Sequence, residues 1–220
     1  MAEVKTDRRR YQSPVRDEAA RRTRRAVVSA AAVLFAERGY TASSLRQVAD
    51  AAGVARPTVA AAFGSKPALL RRVVDEALAG DDEDVPVADR PWFAPVWRAE
   101  QPAAVLEAYA GVCTLIGRRT ARVFEVVHQA AADSPEVGDL WTTLVRNRRL
   151  GAQMVVRHAA ETGPLRPDLT EDPAIDSLWV LNDPALYGSL VLERGWSEDQ
   201  HRRWLATQMT AALLPGPTAA

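Results

Sequence analysis

An all-α fold of about nine helices is predicted by three features of the sequence. Apolar residues recur three and four apart along most of the chain. Ser, Gly and Pro stand where such segments start and stop. No stretch alternates apolar and polar residues as a half-buried strand does, and no internal repeat is visible.

Residues 1–15 are polar, carry Lys5, Arg8, Arg9 and Arg10, and lack periodicity. They are expected to form a disordered basic arm of the kind that reaches into a minor groove, a solvated tail being the plainer alternative. A first helix is expected over 16–38, with Val27, Ala30, Ala31, Leu34 and Phe35 as its apolar stripe and Gly39 as its stop. Arg21, Arg22, Arg24 and Arg25 at its start would lie near phosphates or form a solvated face.

The stretch 43–66, SSLRQVADAAGVARPTVAAAFGSK, reads as two short helices joined by a tight turn. Ser43 or Ser44 can cap the first, and Gly53 ends it. Pro57 suits the first turn of the second, where a missing N–H costs nothing. Val59 and Phe63 share one face of that helix. The opposite face carries Arg56, Pro57, Ala60 and Ala61. A helix with an apolar rear and a small, basic front fits a major groove about 12 Å wide. This is a helix-turn-helix pattern. Ser65 caps a fourth helix to residue 79, with Leu69, Leu70, Val73 and Val74 on its buried side.

With its flanks, this stretch resembles the TetR family of transcriptional repressors. The resemblance covers about residues 21–78 and rests on LFAERGY, SLRQVADAAGV, RPTV and F-x-SK-x-x-LL in that order. It implies a three-helix DNA-reading head over 16–79 and a helical ligand-binding and dimerisation body over 80–220. It places Arg46, Arg56, Pro57 and Thr58 against bases or nearby phosphates; an arginine can bond a guanine edge through two atoms, and Ser44, Thr58 and Lys66 suit phosphates. The chain departs from the family at Ala60, where an aromatic is usual, and at Ala62, where a histidine is common. A lighter footprint on DNA is expected in consequence.

Charge is divided along the chain. Residues 1–75 hold 15 Lys or Arg against 7 Asp or Glu, a net +8, and residues 76–220 carry the compensating −8. A basic first third on an acidic body suits a nucleic-acid face.

In the body, residues 80–102 contain four prolines and read as an irregular loop whose Trp92, Phe93 and Trp97 fold back on the rest. Helices are then expected over about 101–118, 123–132, 134–162, 173–194 (kinked at Pro184) and from Ser197 onward. By the resemblance, a small-molecule pocket lies here, with Trp97, Tyr109, Cys113, Phe124, His128, Trp141, Trp179 and Asn182 as its candidates. His128 is the favoured polar group, with Arg148 a weaker one. A filled aromatic core is the plain alternative. Leu190, Trp204, Leu205 and Leu213 are expected at a homodimer interface made by the last two helices.

The three histidines lie far apart without zinc-ligand spacing, and neither a phosphate-cradling Gly-rich loop nor a nucleophile elbow is present. No enzymatic activity, metal or cofactor is expected. The single Cys113 excludes an internal disulfide and suits a reducing compartment. With no long apolar run and no signal-like start, a cytoplasmic protein away from membranes is expected. The leading reading is a DNA-binding repressor released from a palindromic operator by a small apolar or aromatic ligand. Its rival is a small-molecule-binding or scaffold protein with an inactive head.

Overall fold

The computed structural model describes residues 14–216, and the described chain is entirely helical. The helices are α1 (Pro14–Arg38), α2 (Leu45–Ala51), α3 (Arg56–Phe63), α4 (Lys66–Ala79), α5 (Ala94–Arg98), α6 (Pro102–Ala130), α7 (Pro135–Thr162), α8 (Glu171–Leu181), α9 (Pro184–Tyr187) and α10 (Glu198–Leu213). A single 3₁₀ turn, Val87–Asp89, interrupts the loop after α4, and α9 widens into a π-turn over Gly188–Glu193. The first helix starts at Pro14, two residues before the expected boundary and inside the arm expected over 1–15, of which residues 1–13 lie outside the described residues.

Two elements differ from expectation. The helices read as 101–118 and 123–132 are one continuous α6 of 29 residues. Arg119, Thr120, Ala121 and Arg122 stand between the two expected spans. Thr120 is buried and donates its hydroxyl to the Ile116 carbonyl at 2.7 Å, as Thr114 does to Ala110 at 2.9 Å. Such back-bonding lets a threonine sit inside a helix without an unpaired polar group. The helix read as 173–194 stops at Leu181. Pro184 does not kink it but opens a new one at a first-turn position, where Asp183 accepts the Ala185 N–H at 2.9 Å.

The long α6 is the axis of the molecule, packing against α4, α5, α7, α9 and α10. Its two ends serve two cores. The first joins Val27, Ala31 and Phe35 of α1, Val48 of α2, Val59 of α3 and Leu69, Leu70 and Val74 of α4 to Phe124 and Val127 of α6 and Leu140 and Leu144 of α7. The second gathers α5, the first half of α6, the second half of α7, α8 and α10 around Leu106, Ile175, Leu178 and Met209. Each such side chain, once buried, contributes roughly 1.5–3 kcal/mol.

At Gly117 α6 and α9 nearly touch. A β-carbon placed there would lie 2.6 Å from Tyr187 Cβ and 2.9 Å from its Cγ. Alanine gains about 1 kcal/mol of helix propensity over glycine, but overpacking costs about 1–3 kcal/mol, and here the obstacle is a Cβ held by its own backbone. Gly117→Ala is therefore expected to lower stability in urea unfolding. A variant more stable than wild type would contradict this contact.

Candidate nucleic-acid interface and ligand cavity

The head is fixed by small polar residues. Ser43 is buried, and its hydroxyl reaches the Gly39 carbonyl at 2.8 Å, tying the end of α1 to the start of α2. Ser44, not Ser43, is the cap of α2. It accepts the Gln47 N–H at 3.3 Å, while its own N–H donates to Gln47 Oε1 at 2.8 Å. Gly53, at φ +66°, makes the turn an L-residue with a side chain would resist. Val59 is then fully buried, which turns Arg56, Pro57, Thr58, Ala60, Ala61 and Ala62 outward into an exposed face. Arg46 is exposed on α2.

Lys66 differs from these. It is the first residue of α4 and lies half-buried, with its Nζ 4.1 Å from the centre of the Tyr40 ring. Burial pulls its pKa below the usual lysine value. Ser44 is also partly committed, because its hydroxyl donates to Gln47 Oε1 at 2.9 Å.

The arginines at the start of α1 divide into two groups. Arg22 and Arg24 are exposed. Arg21 and Arg25 both clasp Asp82 in the loop after α4, and so are not free for phosphates. Arg21 makes two bonds of 2.7 Å, and Arg25 bonds of 3.1 and 2.9 Å. Hydrogen bonds from Arg21 and then Arg25 hold the Asp82 carboxyl far below the usual carboxylate range. The same loop wraps a buried guanidinium. Arg90 pairs with Asp81 at 2.6 Å and donates to the carbonyls of Glu83 at 2.8 Å and Val85 at 3.0 Å. Arg119 of α6 donates to the Ala79 carbonyl at 3.4 Å, and its guanidinium lies over Trp92. The acidic run is thus a hook that fastens the loop after α4 to α1, while Arg119 ties the last residue of α4 to α6.

Beside that hook lies a cavity of about 400 Å³. Leu78 from the last turn of α4, with Pro86, Val87 and Ala88 from the following loop, forms its head-side wall. Phe93, Trp97, Ile116 and Phe124 line its middle. Trp97 is anchored by its indole N–H, which donates to the Ala88 carbonyl at 2.8 Å. At the far end stand Tyr109, Cys113, Arg148 and Asn182, and the exposed Leu150 and Met154 lie along its rim. Burial pushes the Cys113 thiol up to about 12 and raises the Tyr109 phenol well above its usual value, so both are neutral donors at pH 7. Charge at this end is balanced, since Arg148 meets Asp183 at 2.8 Å.

Trp97, Tyr109, Cys113, Phe124 and Asn182 thus share the cavity, whereas His128, Trp141 and Trp179 do not line it. His128 lies one turn beyond Phe124, but at that end α6 has entered the head core. Its ring is exposed and rests on Trp141, 4.6 Å between centres. Trp141 is spent on the same packing, and Trp179 lies under Arg148 outside the cavity. The head-side wall went unpredicted because a proline-rich loop leaves no periodic trace.

The expected dimer residues also separate. Leu205 and Leu213 are buried within the protomer, because the stripe Leu205, Met209, Leu213 of α10 faces the core shared with α6 and α8. They present nothing to a second copy. Leu190 and Trp204 remain partly exposed, and Val180 and Leu192 are the large apolar side chains left most open in this region. Among the described residues, no helix is long and apolar enough to cross a membrane.

Residues 27–73 match the profile of bacterial regulatory proteins of the tetR family. The transcriptional repressor BdcR of Escherichia coli (strain K12) is 44% identical over 62 residues. That stretch is 28% of this chain and 30% of the relative's length. Among solved structures, a Saccharomonospora viridis regulator in complex with choline superposes with a TM-score of 0.68 at 22% identity, over 91% of this chain and 100% of its own. NalD of Pseudomonas aeruginosa, the secondary repressor of the MexAB-OprM multidrug efflux pump, gives 0.66 at 20% identity over 89% and 98%. A complex of SmeT with triclosan gives 0.67 at 17% identity over 90% and 99%. The fold is therefore shared over about nine-tenths of the chain, and the family profile matches the head.

Proposed function

We propose that this chain, whose residues 27–73 match the profile of bacterial regulatory proteins of the tetR family, is a transcriptional repressor that leaves a palindromic operator when a small molecule fills the cavity. Residues 16–79 read DNA, and residues 80–220 hold the ligand and pair two copies of the chain. One observation carries this reading. The helix α4, whose first residue is Lys66 beside the exposed face of α3, ends at Leu78 and Ala79 in and next to the cavity wall.

On the head, Arg56 and Arg46 project from the groove-facing side, and an arginine can bond a guanine edge through two atoms. Thr58 and Lys66 serve the phosphates, Lys66 from a helix start that attracts anions. A homodimer sets two such helices about 34 Å apart, one turn of DNA. That two of the similar structures are complexes with small molecules, choline in one and triclosan in the other, supports reading the cavity as a ligand site. The alternative of a binding protein with a silent head draws on Ala60, Ala61 and Ala62, which leave α3 few side chains long enough to touch DNA.

A gel shift with DNA flanking the gene, at several salt concentrations, tests the proposal. Arg56→Ala is expected to relax preference at one half-site position, a loss of about 1–3 kcal/mol for the right base. Lys66→Ala is expected to weaken binding to all sequences and flatten the salt slope by about one phosphate contact. Equal operator affinity of wild type and Arg56→Ala would remove Arg56 from the reading face. Absence of any salt-sensitive shift would favour the silent head.

A further inference from the structure

We propose that the cavity selects an uncharged, largely apolar molecule bearing one hydrogen-bond acceptor, which receives the Tyr109 hydroxyl proton. This rests on the reading of the cavity as a ligand site and adds its chemistry.

The polar end of the cavity is a chain of groups that satisfy one another. Arg148 donates from Nε to Asn182 Oδ1 at 3.1 Å and from Nη2 to the Trp179 carbonyl at 2.9 Å, and its charge meets Asp183 at 2.8 Å. Asn182 spends its amide N–H groups on the Arg148 carbonyl at 3.2 Å and on Tyr109 Oη at 3.0 Å. The phenol therefore accepts from Asn182, and its own proton is left for another partner. Tyr109 is 5% exposed and lines the cavity. Among the described residues, no oxygen or nitrogen takes that proton. The neighbouring Cys113 sulfur is a weak acceptor.

This arrangement decides between ligand charges. Arg148 is the one ionised side chain among the residues lining the cavity, and Asp183 already balances it. A cation would enter with no carboxylate on the walls to meet it and a guanidinium at the far end. An anion would have to displace Asp183 from Arg148. Burying an unpaired charge costs far more than an aromatic wall returns. A neutral acceptor loses nothing of this kind and gains the buried phenol as donor.

Four naphthalene derivatives of similar size separate the cases: acetylnaphthalene, ethylnaphthalene, naphthoate and naphthylmethyl-trimethylammonium. Binding to the full chain without DNA is followed by calorimetry and tryptophan quenching. Acetylnaphthalene is expected to bind about 3- to 10-fold more tightly than ethylnaphthalene, the range of one net hydrogen bond, with both charged probes weakest. Tyr109→Phe should erase the advantage of the ketone, so that the acetyl and ethyl derivatives bind alike, and an unchanged near-ultraviolet circular dichroism spectrum reports an intact fold. Equal binding of a charged probe, an undiminished ketone advantage in Tyr109→Phe, or no binding of any probe at millimolar concentration would overturn the proposal. Operator release is read separately. A Tyr109-dependent ketone that leaves DNA affinity unchanged would sink the repressor reading and keep the ligand class, and a charged effector that releases DNA would do the reverse.

Discussion

Leu70→Ala is expected to lower the free energy of unfolding by about 2–5 kcal/mol, the range for deleting a buried leucine side chain. Leu70 is completely buried in the core where α1, α2, α3 and α4 meet α6 and α7. Several rigid helices converge there, so the space left by the side chain cannot close by moving one loop. For a chain of this size each kcal/mol moves the thermal midpoint by about 2–4 °C. The neighbouring Arg71 is exposed, and Arg71→Ala should stay within about 0.5 kcal/mol of wild type. Urea unfolding of the pair is the check. A loss below about 1 kcal/mol for Leu70→Ala would mean that this core repacks freely.

Asp82→Asn is expected to have two effects with opposite consequences for DNA. The carboxylate is the common partner of Arg21 and Arg25, so its neutralisation releases two guanidinium groups on the head. Each that finds a phosphate steepens the salt dependence by about 0.9 in logarithmic slope and tightens binding to any sequence. The same change cuts the tie between α1 and the loop that continues into the cavity wall at Pro86, Val87 and Ala88. Ligand and operator couple only through differential contacts in two states, typically about 1–3 kcal/mol, or 5- to 150-fold in affinity. In Asp82→Asn this factor should fall towards one while binding of the ligand alone persists. Calorimetry with and without operator measures both. An unchanged coupling factor would show that the hook does not carry the signal.

The parts of this molecule legible in its sequence are those ruled by local chemistry. Ser44, Gly53, Pro57 and Ser65 each announce a cap or a turn whose geometry depends on one residue's own backbone and side chain. The stripes of α1 and α4 were readable for the same reason, since Val27, Phe35, Leu70 and Val74 face one core. The continuous α6 was not, because a buried Thr120 that bonds its own helix looks in sequence like a polar interruption. Spacing gives the face of a helix but not its surroundings, and His128 stands exposed against Trp141 outside the cavity lining. Leu205 and Leu213 were given to a partner because an apolar stripe does not say whether its own chain or another copy covers it. The cavity's polar end lies beyond such reading. It is built from Tyr109, Arg148 and Asn182 on three separate elements, and only tertiary packing joins them.

The core beneath the reading helices is lined from the far side by Val123, Phe124 and Val127 of α6 and by Val137, Leu140 and Leu144 of α7. The unit that could be exchanged between proteins is therefore discontinuous in sequence. A chimera joined at residue 80 would carry away the exposed face of α3 and leave behind the wall that supports it. Leu69, Leu70 and Val74 would then meet foreign side chains or water. A graft that also brings residues 123–144 would keep the support intact, and with it a piece of the cavity, since Phe124 and Leu144 line both. On the proposed function, new operator preference and new ligand preference are not independently portable, because part of the support for each lies in the same two helices.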